Sequence, residues 1–93
     1  MAQLTAEQIR AALPGVKDWK EQGAAIRRLF QFKDFAEAMR FVNSVASAAE
    51  EANHHPDIDI RWNKVTLTLA THNAGGLTQK DFDLAKKIDG LAA

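Results

Sequence analysis

The side chains best suited to proton transfer at neutral pH are those of the three histidines in this sequence. His54 and His55 are adjacent and precede Pro56, and His72 follows further along the chain. A free imidazole has a pKa of about 6.5, so it can accept or release a proton under cellular conditions. The chain has no cysteine and no tyrosine. We therefore take the histidines as the candidate acid/base groups.

A predicted β-hairpin brings these histidines together. Residues 57–62 alternate in polarity, residues 63–64 fit a tight turn, and residues 65–72 alternate again. In such a hairpin the start of the first strand lies beside the end of the second. His54 and His55 are therefore expected at the same end of the hairpin as His72. This closure is the main structural argument for a single site.

Side-chain parity in the hairpin separates core positions from site positions. Trp62 shares a face with Ile58 and Ile60, so we expect its ring in the core. His72 has the opposite parity to the apolar row Val65, Leu67 and Leu69. We expect His72 outside the core.

Helix signals occur at three points of the chain. Each of three polar residues is followed three positions later by Gln, Glu or Asp, the capping-box relation that marks a helix start: Thr5, Asp34 and Thr78. Helix ends are predicted at Pro14-Gly15, near Ala52, and at Gly90. The segment from Asp34 has the longest apolar periodicity and predicts the longest helix.

A second hairpin is predicted between the first two helices. Trp19–Glu21 forms a short strand, Gln22-Gly23 a turn, and residues 25–32 a longer strand in which Arg28 interrupts the apolar row. The order helix-strand-strand-helix-strand-strand-helix predicts the α+β class, with a four-stranded antiparallel sheet and three helices on one face. We interpret residues 1–93 as a single domain, small enough for self-association to be a common remedy for a limited core.

Composition limits the partners that we expect. Twelve basic residues balance twelve acidic ones, so no net field attracts nucleic acid or an anionic membrane. No apolar run approaches the roughly 20 residues that span a bilayer. The segment from Met1 lacks the features of a signal peptide, and the absence of cysteine fits a reducing compartment. We expect a cytoplasmic protein with no nucleic-acid or membrane partner.

Several polar residues near the histidines have two interpretations. Asp81 is explained by its capping-box position, yet it can also orient an imidazole. Glu50 lies near a helix C-terminus, where the dipole disfavours a negative charge, so it is a solvated charge or a site residue. The histidines with Asp57 or Glu50 match the ligand types of catalytic zinc, although the spacings that make zinc sites recognisable are missing.

The same residues resemble the signature of the pterin-4a-carbinolamine dehydratases. The signature is a spaced set that runs through Glu50, His54-His55-Pro56, Trp62, His72 and Asp81. Further similarity is found at Trp19, at Phe30-x-Phe32-x-x-Phe35, at Phe41-Val42, and along residues 71–78. The resemblance covers nearly the whole chain.

This resemblance implies a hydro-lyase that converts 4a-hydroxytetrahydropterin to quinonoid dihydropterin and water, without a metal or other cofactor. It implies a site built from three groups of residues, which are the catalytic His54, His55 and His72, the supporting carboxylates Glu50 and Asp81, and the substrate-binding Asn53, Thr71 and Asn73. Within it we expect His54 and His72 to transfer protons and His55 to hold the pterin.

The resemblance also implies partners. It implies a homodimer or homotetramer, and a functional link to an aromatic amino-acid hydroxylase through tetrahydrobiopterin recycling. The alternative is a non-catalytic binding, assembly or regulatory protein on the same fold. Relatives of that kind tend to lose the histidine set, whereas this chain has all three histidines.

Overall fold

The computed structural model describes residues 2–92, so Met1 and Ala93 lie outside the described part of the chain. Three α-helices and four β-strands follow one another as α1 (Ala6–Ala12), β1 (Lys20–Gln22), β2 (Ala25–Gln31), α2 (Phe35–Ala52), β3 (Asp57–Arg61), β4 (Lys64–Leu69) and α3 (Gln79–Ala92). The α+β class and the order of elements are confirmed. No helix of residues 2–92 is long and apolar enough to cross a membrane.

The two hairpins join side by side in one antiparallel sheet. The strand order is β1-β2-β4-β3, so β4 lies between β2 and β3. One face of the sheet is buried against the helices and supplies much of the core, with Ile26, Phe30, Val65, Leu67 and Leu69. On the opposite face Leu29 is 55% exposed. The alternating pattern of the sequence thus corresponds to one buried and one open sheet face.

Hydrogen bonds explain where the first two helices begin. Thr5 Oγ1 accepts from the backbone N–H of Gln8, and Gln8 Oε1 accepts from that of Thr5, so the predicted capping box is present. Asp34 caps α2 by accepting from the N–H of Glu37 at 2.9 Å. α2 ends at Ala52, as predicted, because the next residue turns the chain out of the helix.

The predicted end of α3 at Gly90 is wrong. The helix continues through Gly90 to Ala92, whose side chain packs against the core. A glycine inside a helix costs about 1 kcal/mol relative to alanine, which does not prevent helix formation. Glycine alone is therefore an uncertain stop signal.

The tip of the second hairpin also differs from the prediction. Arg61 pairs with Lys64, so the two turn residues are Trp62 and Asn63. Of these two residues, Asn63 is buried, because two hydrogen bonds hold it against Phe32. Its Nδ2 donates to the carbonyl oxygen of Phe32 at 2.8 Å, and its backbone carbonyl accepts from the Phe32 N–H at 2.8 Å. Trp62 has a φ of 52° and is 67% exposed, so its predicted core position is wrong.

Strand β4 is shorter than the sequence pattern predicts. It ends at Leu69, and the chain then forms one isolated bridge between Thr71 and Gly76. A 3₁₀ turn, His72–Ala74, fills the interval and leaves His72 exposed. The first hairpin is shifted by one residue as well: its turn is Gly23-Ala24, and the φ of +59° there suits the glycine.

Arg28 is accommodated in β2 because its charge is paired. Its guanidinium lies 4.2 Å from the centre of the Phe30 ring and donates to Asp89 Oδ1 at 2.6 Å. The indole N–H of Trp19 donates to the same oxygen at 2.8 Å. Asp89 therefore connects the sheet to the end of α3.

Candidate active site

The end of the second hairpin that lies opposite its turn carries a cavity of about 320 Å³, which we call the histidine cavity. All three imidazoles line it, together with five other residues: Asn53, Ala70, Thr71, Asn73 and Lys80. The cavity is formed by the end of α2, the loop after β4 and the start of α3. The fold thus places His54 and His55 opposite His72, across the open end of the hairpin.

The end of α2 determines where the first two histidines lie. Asn53 has a left-handed conformation with a φ of 50°, which asparagine tolerates better than most residues. The backbone N–H of His54 still donates to the carbonyl of Ala49 at 3.1 Å. Pro56 then favours an extended His55. The two histidines are therefore held by the helix end, directly before β3.

His54 is the buried member of the set, at 9% exposure. Its Nε2 lies 2.5 Å from Oδ1 of Asp81, which is itself fully buried in the first turn of α3. The two residues are far apart in the sequence, so this contact fixes the helix end against α3. A buried pair of this kind is sensitive to the loss of either partner.

Asp81 accepts two further hydrogen bonds through its other oxygen. Oδ2 accepts from Thr71 Oγ1 at 2.8 Å and from the backbone N–H of Thr78 at 2.9 Å. The Thr71 and Thr78 hydroxyls are also 2.9 Å apart. Since an ionised carboxylate only accepts, Thr71 donates to Asp81 and must accept from Thr78. This network satisfies the buried carboxylate on both sides.

The contact with Asp81 determines which nitrogen of His54 is available for chemistry. An ionised Asp81 requires a proton on Nε2 of His54. In the neutral imidazole the other nitrogen, Nδ1, then carries the free lone pair. His54 can therefore act as a proton acceptor at Nδ1 while Asp81 stabilises the positive charge that develops on the ring.

His55 has a similar partner in an exposed setting. Its Nε2 lies 2.5 Å from Oε2 of Glu50, and the two side chains are 57% and 77% exposed. Water screens such a pair, so its contribution to stability is small. Glu50 thus contacts a histidine of the cavity while its own side chain is solvated, so its role as a site residue stays a prediction.

His72 differs from the other two histidines because no side chain of residues 2–92 forms a hydrogen bond with its ring. It lies in the 3₁₀ turn after β4 and is exposed. Asn53 and Asn73 are exposed on the cavity wall, while Thr71 lines the cavity and also donates to Asp81. Every predicted site residue therefore lines the cavity or bonds to a histidine that does.

Lys80 is a cavity residue that the sequence did not indicate. It lies in the first turn of α3, where the helix dipole disfavours a positive charge. A lysine at that point is the one signal that could have identified it, by the same reasoning that singled out Glu50.

The predicted capping box at Thr78 is only half formed, because the Thr78 hydroxyl bonds to Thr71.

The zinc alternative requires several ligands that converge on one point. Within the described range 2–92, no group of three or more His, Asp or Glu side chains is arranged so that it could hold a metal ion. The two short contacts of the site instead pair each of two histidines with one carboxylate.

The fold and cavity together define a class of protein, a two-layer α+β fold with a histidine-lined cavity at one end of its sheet. A family model described as pterin 4 alpha carbinolamine dehydratase matches residues 2–91. The chain belongs to this family, as the sequence resemblance predicted.

Relatives of known sequence agree with this assignment. A protein of Acidobacterium capsulatum named "Putative pterin-4-alpha-carbinolamine dehydratase" is 56% identical over 91 residues, covering 98% of this chain and 99% of the relative. A protein of Thermomicrobium roseum with the same name is 52% identical over 93 residues and covers both chains fully.

Two solved structures share the fold. A transcriptional coactivator/pterin dehydratase from Brucella melitensis superposes with a TM-score of 0.94 at 36% identity, covering 98% of this chain and 99% of the other. A pterin dehydratase-like protein, identified as a RuBisCO assembly factor in the alpha-carboxysome, has a TM-score of 0.71 at 28% identity. The superposition covers 82% of this chain and 90% of that protein's chain.

Proposed function

We propose that this chain is a dehydratase that converts 4a-hydroxytetrahydropterin to quinonoid dihydropterin and water. The observation that carries the proposal is the meeting of three imidazoles at one cavity, with His54 oriented by the buried Asp81. Membership of the family supplies the substrate class. The cavity volume of about 320 Å³ lies within the range of small-molecule sites.

The reaction requires two proton transfers and no change in oxidation state. The bond between C4a and its hydroxyl oxygen breaks, the proton on N5 is removed, and a double bond forms between N5 and C4a. The departing hydroxide and one proton make the water. One group must therefore accept a proton while another donates one.

We assign the acceptor role to His54 and the donor role to His72. His54 keeps its Nε2 proton towards Asp81, so its Nδ1 is the basic nitrogen that accepts the N5 proton. His72 is exposed, so its ring can recover a proton from solvent after it protonates the leaving hydroxyl. His55, paired with Glu50, would hold the pterin ring, with Asn53, Thr71 and Asn73 as further binding groups.

The substrate of the proposed reaction would come from a hydroxylase. Aromatic amino-acid hydroxylation produces the 4a-hydroxytetrahydropterin, and dehydration starts its recycling to tetrahydrobiopterin. A homodimer or homotetramer is proposed as the active form, which fits the small core and the open sheet face with Leu29.

Stopped-flow absorbance tests the proposal, with a hydroxylase that generates the carbinolamine in the observation cell. We expect the wild-type protein to accelerate dehydration above the spontaneous rate, and a His54→Ala/His72→Ala variant to lose that acceleration. Circular dichroism and thermal unfolding of the variant show whether its fold is retained. Equal acceleration by a folded double variant would refute the histidine mechanism, and no acceleration by the wild type would refute the dehydratase function.

The second candidate function is assembly of another protein without catalysis. The observation that favours it is the fold shared with the RuBisCO assembly factor. Co-expression with RuBisCO subunits, followed by measurement of assembled enzyme, tests it. A raised yield with both the wild type and the double histidine variant, with no dehydration by either, would select assembly over catalysis.

A further inference from the structure

The His72 loop, residues 71–76, decides where the imidazole of His72 lies, because no side chain of residues 2–92 forms a hydrogen bond with that ring. An isolated bridge between Thr71 and Gly76 closes the loop at its base. The Thr71 N–H donates to the Gly76 carbonyl at 3.1 Å, and the Gly76 N–H donates to the Thr71 carbonyl at 3.3 Å. A displacement of this bridge would therefore displace the imidazole.

The two residues of the bridge are supported from different directions. Thr71 is held through its hydroxyl, which donates to the buried Asp81 at 2.8 Å. Gly76 is buried although it has no side chain, because the side chain of Gln3 lies against it. A Cβ added at Gly76 would lie 2.6 Å from the amide nitrogen of Gln3 and 3.0 Å from its amide carbon. Gln3 thus occupies the space that a side chain at Gly76 would need.

Leu4 fixes the N-terminal segment, residues 2–4, to the chain directly after the loop. Its backbone N–H donates to the carbonyl oxygen of Leu77 at 2.8 Å. Its half-buried side chain packs against the core, of which Leu77 is a member. Thr5 follows directly as the cap of α1. The segment is therefore anchored both to the first helix and to the end of the His72 loop.

We propose that the N-terminal segment positions His72, with Gln3 as the positioning residue that supports the Gly76 side of the bridge. The segment supplies no residue to the wall of the histidine cavity, so it acts through the loop. Loss of this support would let the proton donor leave its reacting position. The rate of the chemical step would fall, while the other cavity residues would still bind the substrate. The inference rests on the proposed function, in which His72 donates the proton.

Three substitutions in the segment and the loop test the inference. Gln3→Ala removes the atoms that lie against Gly76, Gly76→Ala pushes them aside, and Leu4→Ala removes the contact with the core. Gly76 has no positive φ, so its backbone accepts alanine. The matched control is Leu13→Ala. Leu13 is also half-buried against the core, but it lies in a 3₁₀ turn that packs against α3.

Stopped-flow dehydration, at a temperature where every variant is folded, gives kcat and KM. We expect the three substitutions each to lower kcat by about tenfold with KM unchanged, which is less than the 10²-fold that a misplacement of about 1 Å can cost. Leu13→Ala should have the wild-type kcat. Wild-type kcat in all three variants, or an equal loss in Leu13→Ala, would overturn the inference.

Double variants separate positioning of His72 from a general structural role. Gln3→Ala/Gly76→Ala should lose no more rate than Gln3→Ala alone, because both changes remove the same contact. In a His72→Ala background, Gln3→Ala should have no further effect on kcat, because the residue that it positions is absent. A further tenfold loss in either double variant would contradict the positioning role.

Hydrogen exchange tests the support of the loop without a substrate. The N–H groups of Ala74, Gly75 and Gly76 donate within the loop. We expect Gln3→Ala to speed their exchange and to leave that of β4 unchanged. Faster exchange, with no dehydration by the wild type, would reject the proposed function and support the contact between segment and loop. Dehydration by the wild type, with exchange and kcat unchanged in the variants, would reject the positioning role alone.

Discussion

Replacement of Asp81 by asparagine tests the role of the buried carboxylate at constant size. The new amide would need its oxygen towards Thr71 and Thr78, because both donate to that side of the carboxylate. Its nitrogen would then face Nε2 of His54 and donate where the carboxylate accepts. His54 would have to move its proton to Nδ1, and the lone pair on that nitrogen would be lost.

The hydrogen bonds of Asp81 set the size of the expected effects. Two bonds change from charged to neutral acceptors, at a cost of about 1 kcal/mol each, so we expect the free energy of unfolding to fall by about 2 kcal/mol. General base catalysis contributes about 10²- to 10⁴-fold in rate, and we expect a loss of kcat in that range. That loss of kcat corresponds to about 2.7–5.4 kcal/mol of activation free energy, which exceeds the expected loss of unfolding free energy.

Stopped-flow dehydration measures the rate, and ¹⁵N NMR of the imidazole nitrogens reports which nitrogen of His54 carries the proton. Asp83→Asn is the control, because Asp83 is exposed on the same helix and bonds only to Gln79 among residues 2–92. Its rate should match the wild type. A folded Asp81→Asn protein with the wild-type rate, or with the proton still on Nε2, would refute the reasoning.

Three further predictions concern features with different degrees of exposure. Glu50→Gln should lower the dehydration rate by no more than about fivefold, because the contact with His55 is exposed. In denaturant unfolding, Gly90→Ala should stabilise the protein by about 0.5–1 kcal/mol, while Gly23→Ala should destabilise it by about 1 kcal/mol. A Cβ added at either glycine would meet no other atom within 4 Å, and of these two glycines only Gly23 has a positive φ. Asp89→Ala should cost about 2 kcal/mol of unfolding free energy, since it removes the shared acceptor of an indole and a guanidinium.

Each of these has a comparison that can contradict it. Asp59→Ala is the control for Asp89, because the Asp59–Arg61 pair is exposed and should contribute less than about 0.5 kcal/mol. Equal losses for the two aspartates would show that the partly buried position of Asp89 does not matter. Stability changes of the same sign at the two glycines would show that backbone conformation does not decide the effect. A loss of rate in Glu50→Gln as large as that in Asp81→Asn would show that the exposed contact matters as much as the buried one.

Local signals in the sequence predicted most of the fold because they act over a few residues. The capping residues Thr5 and Asp34 identified two helix starts, and polarity alternation identified both hairpins. The hairpin tip was misplaced by one residue because the deciding contact, from Asn63 to Phe32, joins distant parts of the chain. No short-range preference indicates that Trp62 adopts a positive φ.

The sequence predicted which residues belong to the candidate site better than it predicted how they are arranged. Strand lengths indicated that the three histidines share one end of the hairpin, and family resemblance indicated both carboxylates. Sequence could not distinguish the buried contact of Asp81 from the exposed contact of Glu50, because burial depends on how α3 packs. The role of Lys80 as a cavity wall depends on the same packing.

The β3–β4 hairpin separates the histidine cavity from its own turn by the full length of the strands. Five paired residues at about 3.3 Å each place the Trp62 tip roughly 17 Å from the cavity end. Asn63 anchors the hairpin on the inner side of the turn, so a peptide inserted after Trp62 leaves that anchor and the strand register intact. The tip is therefore the position where this protein can acquire a tag, a fusion or a new recognition loop while its histidines stay in place.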